Sequence, residues 1–246
     1  MSSIIPAVFP LVLLFSAMGM LSQIGSSHAI AGELQRKLLH ISIGLTALSF
    51  PLFLKESWTV IAALGLVVVW LIAVRQIPLL QRYFGSVLQK VRRNSLGEIY
   101  YALAIAFLLL LTPDRPILFL IPILILALAD AFAAIVGTVF PIGRFSGIAR
   151  GKTVAGCVTF FVVAFLTSFG VLVAFADLQI ADAFIIATVL AAATCVVEAI
   201  SRRGIDNLVV PATAYLILFF SNVPGDAGTA HIARLHFELN TLMAGL

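Results

Sequence analysis

Eight apolar runs follow one another along this chain, at about residues 4–22, 38–54, 57–74, 99–112, 116–137, 153–176, 180–200 and 208–222. As helices rising 1.5 Å per residue, most can cross about 30 Å of hydrocarbon; the fourth and eighth are short. Hydrophobic residues make up 62% of the 246 and charged ones 11%, with a mean hydropathy of +1.15. A soluble core of this size could not bury so much apolar surface. The runs lack the alternation of an outer-membrane barrel, and backbone polar groups in lipid must be satisfied within their own segment. The expected fold class is all-α: a polytopic membrane helix bundle with about eight transmembrane helices. Without internal repeats or low-complexity linkers, residues 1–246 read as one integral membrane domain. The first run has no basic segment before it and no small-residue cleavage site after it, and is expected to be a retained helix.

Lys and Arg set the orientation. Twelve of the fifteen fall in alternate connections: Arg36 and Lys37; Arg75, Arg82, Lys90, Arg92 and Arg93; Arg144, Arg150 and Lys152; Arg202 and Arg203. The opposite side has Lys55, Arg115 and Arg234. The expected topology in the cytoplasmic membrane puts both termini outside and the basic connections in the cytoplasm. It accounts for the net charge of +4 without invoking nucleic acid. The basic, mildly amphipathic segment 81–98 is expected along the cytoplasmic headgroups, and the tail 231–246 along the opposite face. Cys157 and Cys195 lie inside apolar runs and have no metal-ligand spacing.

Ionisable groups within membrane helices usually mark a pathway or a site, so their depth is informative. Here they gather at one end of the bundle. Glu98 opens the fourth run, and Asp130 lies seven residues before Gly137, about 10 Å from the end of the fifth. Glu198 closes the seventh, Asp206 and Asn207 introduce the eighth, and His40 with Arg36 one turn earlier starts the second. Ala127, Asp130, Ala134 and Gly137 share one helical face, and Ala191, Thr194, Glu198 and Ser201 another. Small residues beside an acid permit close packing or leave room for a ligand. A single acid of this kind can serve only to pair with an arginine; four acids and several cations at one level point to an active site. Carboxylates and an amide can hold Mg²⁺, lysines and arginines can neutralise a polyphosphate, and a carboxylate can take a proton from an attacking hydroxyl. Apolar space between the helices suits a lipid, so the composition fits a lipid-modifying enzyme at the cytoplasmic helix ends.

The stretch GIARGKT, residues 147–153, resembles a P-loop but is out of register. Ser146 stands where the first glycine of GxxxxGK[ST] belongs, and an apolar run precedes the loop in place of a sheet strand. It reads either as a basic topogenic loop or as a phosphate-binding loop strung between membrane helices. In the second case Gly143, Gly147 and Gly151 admit close backbone approach and Lys152 acts as a point charge. His40 reads either as a headgroup-level hydrogen bonder or, on the face Arg36, His40, Gly44 and Ala47, as a site residue.

RKLLHISIG (36–44), GEIYY (97–101), ADAFAAIVG (129–137), GRFSGIARGKTVAG (143–156) and EAISRRGIDNLVVP (198–211) resemble, in order and spacing, the polyprenol kinase family. That family includes phytol kinase, dolichol kinase and the CTP-dependent diacylglycerol kinases. The likeness runs from about Glu33 to Pro211. It implies transfer of the γ-phosphoryl group of a nucleoside triphosphate, commonly CTP, to the hydroxyl of a membrane lipid alcohol, with Mg²⁺ or another divalent cation. It further implies Asp130 and Glu198 as catalytic residues, and Asp130, Glu198, Asp206 and Asn207 as metal ligands. The nucleotide would lie against Gly143, Arg144, Gly147, Arg150, Gly151, Lys152, Thr153 and Gly156. Arg36, Lys37, His40, Glu98, Gly137 and Ser201 complete the candidates. Cys157 departs from the family, where a small hydroxyl residue often follows the last glycine.

Two rival functions stand beside this one. A transporter needs polar groups reachable from both sides in turn, and the outer halves of these runs are nearly bare. A phosphatidate cytidylyltransferase also uses CTP, but its Gly-Gly pair followed by Asp-Arg and a further Asp is not found in this sequence.

Overall fold

The computed structural model describes residues 16, 29–54, 56–80, 96–146 and 151–223. Among them the secondary structure is helical, with one isolated antiparallel bridge between Arg144 and Thr153. The helices are α1 (Ala29–Ala47), α2 (Phe50–Phe53), α3 (Ser57–Gln76), α4 (Gly97–Leu111), α5 (Pro116–Leu124), α6 (Asp130–Val139), α7 (Val154–Phe175), α8 (Ile180–Ile200) and α9 (Asp206–Phe220). A π turn, Ile125–Ala129, joins α5 to α6.

Among the described residues four segments are long and apolar enough to cross a membrane: Ser57–Val74, Pro116–Val139, Val154–Phe175 and Ile180–Ile200. They match the third, fifth, sixth and seventh apolar runs. Gly97–Leu111 and Asp206–Phe220 are the shorter fourth and eighth. The first run, apart from Ser16, lies outside the described residues, as do residues 81–95 of the basic segment and the whole tail 231–246.

The second run differs from its expected form. Its helix begins at Ala29, nine residues before the apolar stretch, so Arg36, Lys37 and His40 lie inside α1 and not at its start. Hydropathy cannot register a charged turn that a neighbouring helix neutralises. The run also breaks after Ala47. Pro51 has no N–H to offer the carbonyl four residues back, and Ser49 turns the chain by donating from both its N–H and its Oγ to the Thr46 carbonyl, at 3.0 and 2.7 Å.

Pro116–Val139 is the central element, with apolar cores on both sides. Ile117, Leu118, Ile121 and Ile125 pack against α7, α8 and α9, through residues such as Phe160 and Leu190. Phe119, Ile123 and Leu126 pack against the layer of α1 to α4. Along the α7–α8 contact, α8 turns inward Ala183, Ala187, Ala191 and Thr194, small residues that let the two helices approach closely. Ile61, Val69, Leu166 and Phe220 are exposed, so the outer surface is apolar as well. A bundle that is apolar inside and outside belongs in lipid.

Candidate active site

Asp130 opens α6, and the π turn determines how it is presented. Pro122 cannot donate to the Leu118 carbonyl, and the helix downstream widens until the Asp130 N–H bonds the Ile125 carbonyl, five residues back. The Asp130 carboxylate then faces α1. Lys37 Nζ donates to its Oδ2 at 2.5 Å, and His40 Nδ1 lies 3.8 Å from the same oxygen. Lys37, His40 and Asp130 are only 2–5% exposed. Tyr101 of α4 donates its hydroxyl to the His40 carbonyl at 3.1 Å, and the two rings meet edge to face at 5.1 Å.

A second charged pair lies beside the first. Lys152, two residues ahead of α7, is hydrogen-bonded to Glu198 in the last turn of α8 and lies 3.7 Å from Asp206 Oδ2 at the start of α9. Burial works against the charge on Lys152, but Glu198, Asp206 and Asp130 outweigh it, so its pKa sits above the ordinary lysine value. The link from α8 to α9 turns sharply through Arg203 and Gly204, both at positive φ (56° and 85°), and so returns Asp206 towards Glu198.

The two pairs share one centre. One carboxylate oxygen from each of Asp130, Glu198 and Asp206 lies within 4.8 Å of the others. Three hard oxygen donors at this separation fit a divalent cation such as Mg²⁺. Asn207, also buried, donates its amide N–H to the Gly97 carbonyl at 2.9 Å, which leaves its amide oxygen as a possible ligand. His40 Nδ1 is buried without a hydrogen-bond partner, the kind of atom that a bound polar ligand satisfies.

The remaining expected residues fall around this centre. Residues 143–145 and 152–154 pair as a short hairpin, with Phe145 N–H to Lys152 carbonyl at 3.1 Å and Val154 N–H to Gly143 carbonyl at 2.9 Å. Gly143 and Gly151 adopt positive φ there, 64° and 98°, and Arg144 is exposed. Gly147 and Arg150 lie outside the described residues. Thr153 caps α7 by accepting the Gly156 N–H at 3.0 Å. Gly137 and Gly156 face each other where α6 and α7 cross: a Cβ on Gly137 would lie 2.8 Å from Thr153 Oγ1. Ser201 Oγ donates to the Val197 carbonyl of its own helix at 2.6 Å. Arg36 is half-buried on α1, and half-buried Glu98 borders an apolar groove between α1, α3 and α4.

Over 189 residues the chain is 31% identical to the phytol kinase of Synechocystis sp., across 75% of this chain and 78% of that protein. It belongs to the polyprenol/phytol kinase-like family. No protein-family model matches the chain, and no solved structure matches it. In this family member, sequence reasoning missed two features: the Lys37–Asp130 pair and the contact of Tyr101 with His40. Lys37 itself stood among the candidates, and Tyr101 lies three residues after Glu98 and shares its helical face, but the contacts that the two make across helices leave no signal in the sequence.

Proposed function

We propose that the chain is a kinase transferring the γ-phosphoryl group of a nucleoside triphosphate, in the first place CTP, to the hydroxyl of a membrane lipid alcohol such as phytol or a polyprenol. The observation that carries this reading is the convergence of three carboxylates and two lysines beside an apolar core. A relative named phytol kinase supports the reaction class.

In such a transfer the lipid oxygen bonds to the γ-phosphorus, the bond from that phosphorus to the bridging oxygen breaks, and a nucleoside diphosphate leaves. The hydroxyl proton passes to a carboxylate, for which Asp130 is the choice. It is the acid set between the apolar core and the charged centre, and Lys37 holds its orientation. Lys152 is the phosphate-binding cation. Its side chain is 29% exposed against 3% for Lys37, and it lies on the hairpin that reaches the surface, so it can exchange Glu198 for phosphate oxygens. Glu198, Asp206 and the amide oxygen of Asn207 are the residues to hold Mg²⁺, with Asp130 adjoining. Bound there, the ion would neutralise charge on the polyphosphate. Diacylglycerol as acceptor would require the same chemistry.

The test is incubation of the purified protein, in detergent with Mg²⁺, with γ-labelled CTP or ATP and a panel of phytol, farnesol, polyprenol and diacylglycerol. Label on one of the lipids together with a nucleoside diphosphate is expected. Pyrophosphate and a CDP-lipid would identify a cytidylyltransferase instead, and no label on any lipid would remove the kinase reading.

A further inference from the structure

An apolar groove runs between α1, α3 and α4, lined among others by Leu39 and Ile43, Leu64 and Val67, and Ala102 and Ile105. Glu98 is the one charged residue among the described residues that line it. Its two ends differ. At one, Glu98 and Tyr101 stand near the start of α4; at the other, Phe50, Leu54, Val60 and Leu109 close an all-hydrocarbon wall. From Glu98 to Leu109 the helix rises about 16 Å.

The polar end adjoins the carboxylate centre by two routes. Tyr101 lines the groove and bonds the backbone of His40, whose ring nitrogen is 3.8 Å from Asp130. The carbonyl of Gly97, the residue before Glu98, accepts from Asn207, which follows Asp206. A site that is polar at one end only, and there borders the charged centre, fits an amphiphile with a single polar head.

We infer that this groove holds the hydrocarbon chain of the acceptor alcohol, its hydroxyl at the Glu98–Tyr101 end and its tail running towards Phe50 and Leu109. The inference rests on the kinase reading for the identity of its occupant. Close packing of the tail along the lining supplies the binding, since lipid tails are as apolar as the groove, and the polar end sets the direction in which the alcohol enters.

Photolabelling tests this apart from turnover. Two long-chain alcohols are used, one with a diazirine beside the hydroxyl and one with it at the tail, on the full-length protein in lipid, with mass-spectrometric mapping. The head probe should label the region of Trp70, Glu98 and Tyr101, and the tail probe that of Phe50, Leu54 and Leu109. Ala102→Phe, and separately Ala63→Phe from the opposite wall, should raise KM for the long-chain alcohol about tenfold and reduce labelling to a similar degree. Two variants guard against one that does not fold. Labels reversed between the ends, labels confined to the outer faces of α7 and α8 or to residues 4–22, or labelling undiminished in both folded variants would each overturn the inference. Oriented groove labelling in a protein that phosphorylates no alcohol would uphold the binding site and remove the kinase reading; turnover without groove labelling would do the reverse.

Discussion

Asp130 lies where an apolar helix meets a charged centre, and its neighbours allow charge and shape to be tested separately. Asp130→Asn keeps the size and removes the basicity, so phosphoryl transfer should fall by at least about 10², the usual contribution of a general base, while nucleotide affinity is retained. A lipid-phosphorylation assay beside a nucleotide-binding measurement checks this; near-normal turnover would leave Asp130 a packing residue. Lys37→Met exposes the other property. It strips a buried carboxylate of its partner, which should cost about 3–5 kcal/mol in thermal unfolding of the detergent-solubilised protein. The double change Lys37→Met/Asp130→Asn should recover most of that loss, because no unpaired charge remains. Lys152→Ala should leave the fold intact and lower kcat/KM for nucleotide by about 10² to 10³, the usual effect of losing one transition-state charge contact. Normal turnover at subsaturating nucleotide would make the hairpin structural. These charged residues were legible because ionisable groups in apolar runs stand out. The pairing of Lys37 with Asp130 was not, because the two are 93 positions apart in sequence.

At the level of elements, the irregular turn from Ile125 to Ala129 decides where Asp130 points. Sequence periodicity assumed a regular α-helix through Ala127, Asp130, Ala134 and Gly137. The structure instead inserts a π turn nine residues after Pro116, downstream of Pro122. A π turn holds one residue more than the α turn it replaces. Deleting Leu128 should therefore let the segment close as α-helix with both flanking faces kept, and the protein should still insert and remain monodisperse. Deleting Ala133 from regular helix should rotate everything after it by about 100° and unfold the crossing with α7. Size-exclusion profiles and thermal unfolding of the two deletions check this; equal damage would deny the turn its part in register. Pro122 was visible in the sequence, but a proline specifies that a helix must adjust without specifying how.

Across the described residues, the charged centre and the paired segments 143–146 and 151–154 lie at one end of the bundle, and the faces between the ends are apolar. A cytosolic nucleotide can reach only a site that opens to the cytoplasm, and the positive-inside pattern supports the same orientation. Ser146 is exposed on the hairpin. Ser146→Cys should therefore react with a membrane-impermeant maleimide in inverted vesicles and not in intact cells. Labelling in intact cells alone would overturn the orientation and, with it, access of cytosolic nucleotide to the site.

The sequence by itself determined the helical class, the main apolar spans and the gathering of Asp130, Lys152, Glu198 and Asp206 at one end. Each of these depends on local composition, and burying a charge in lipid is costly enough to make every exception visible. Which charges pair, how far Asp130 is rotated by the π turn, the place of Lys37 and His40 inside α1, and the groove leading to Glu98 were decided only by the tertiary structure. Those features depend on contacts between helices distant in sequence, and an apolar lining residue reads the same in a sequence whether it faces lipid, core or groove.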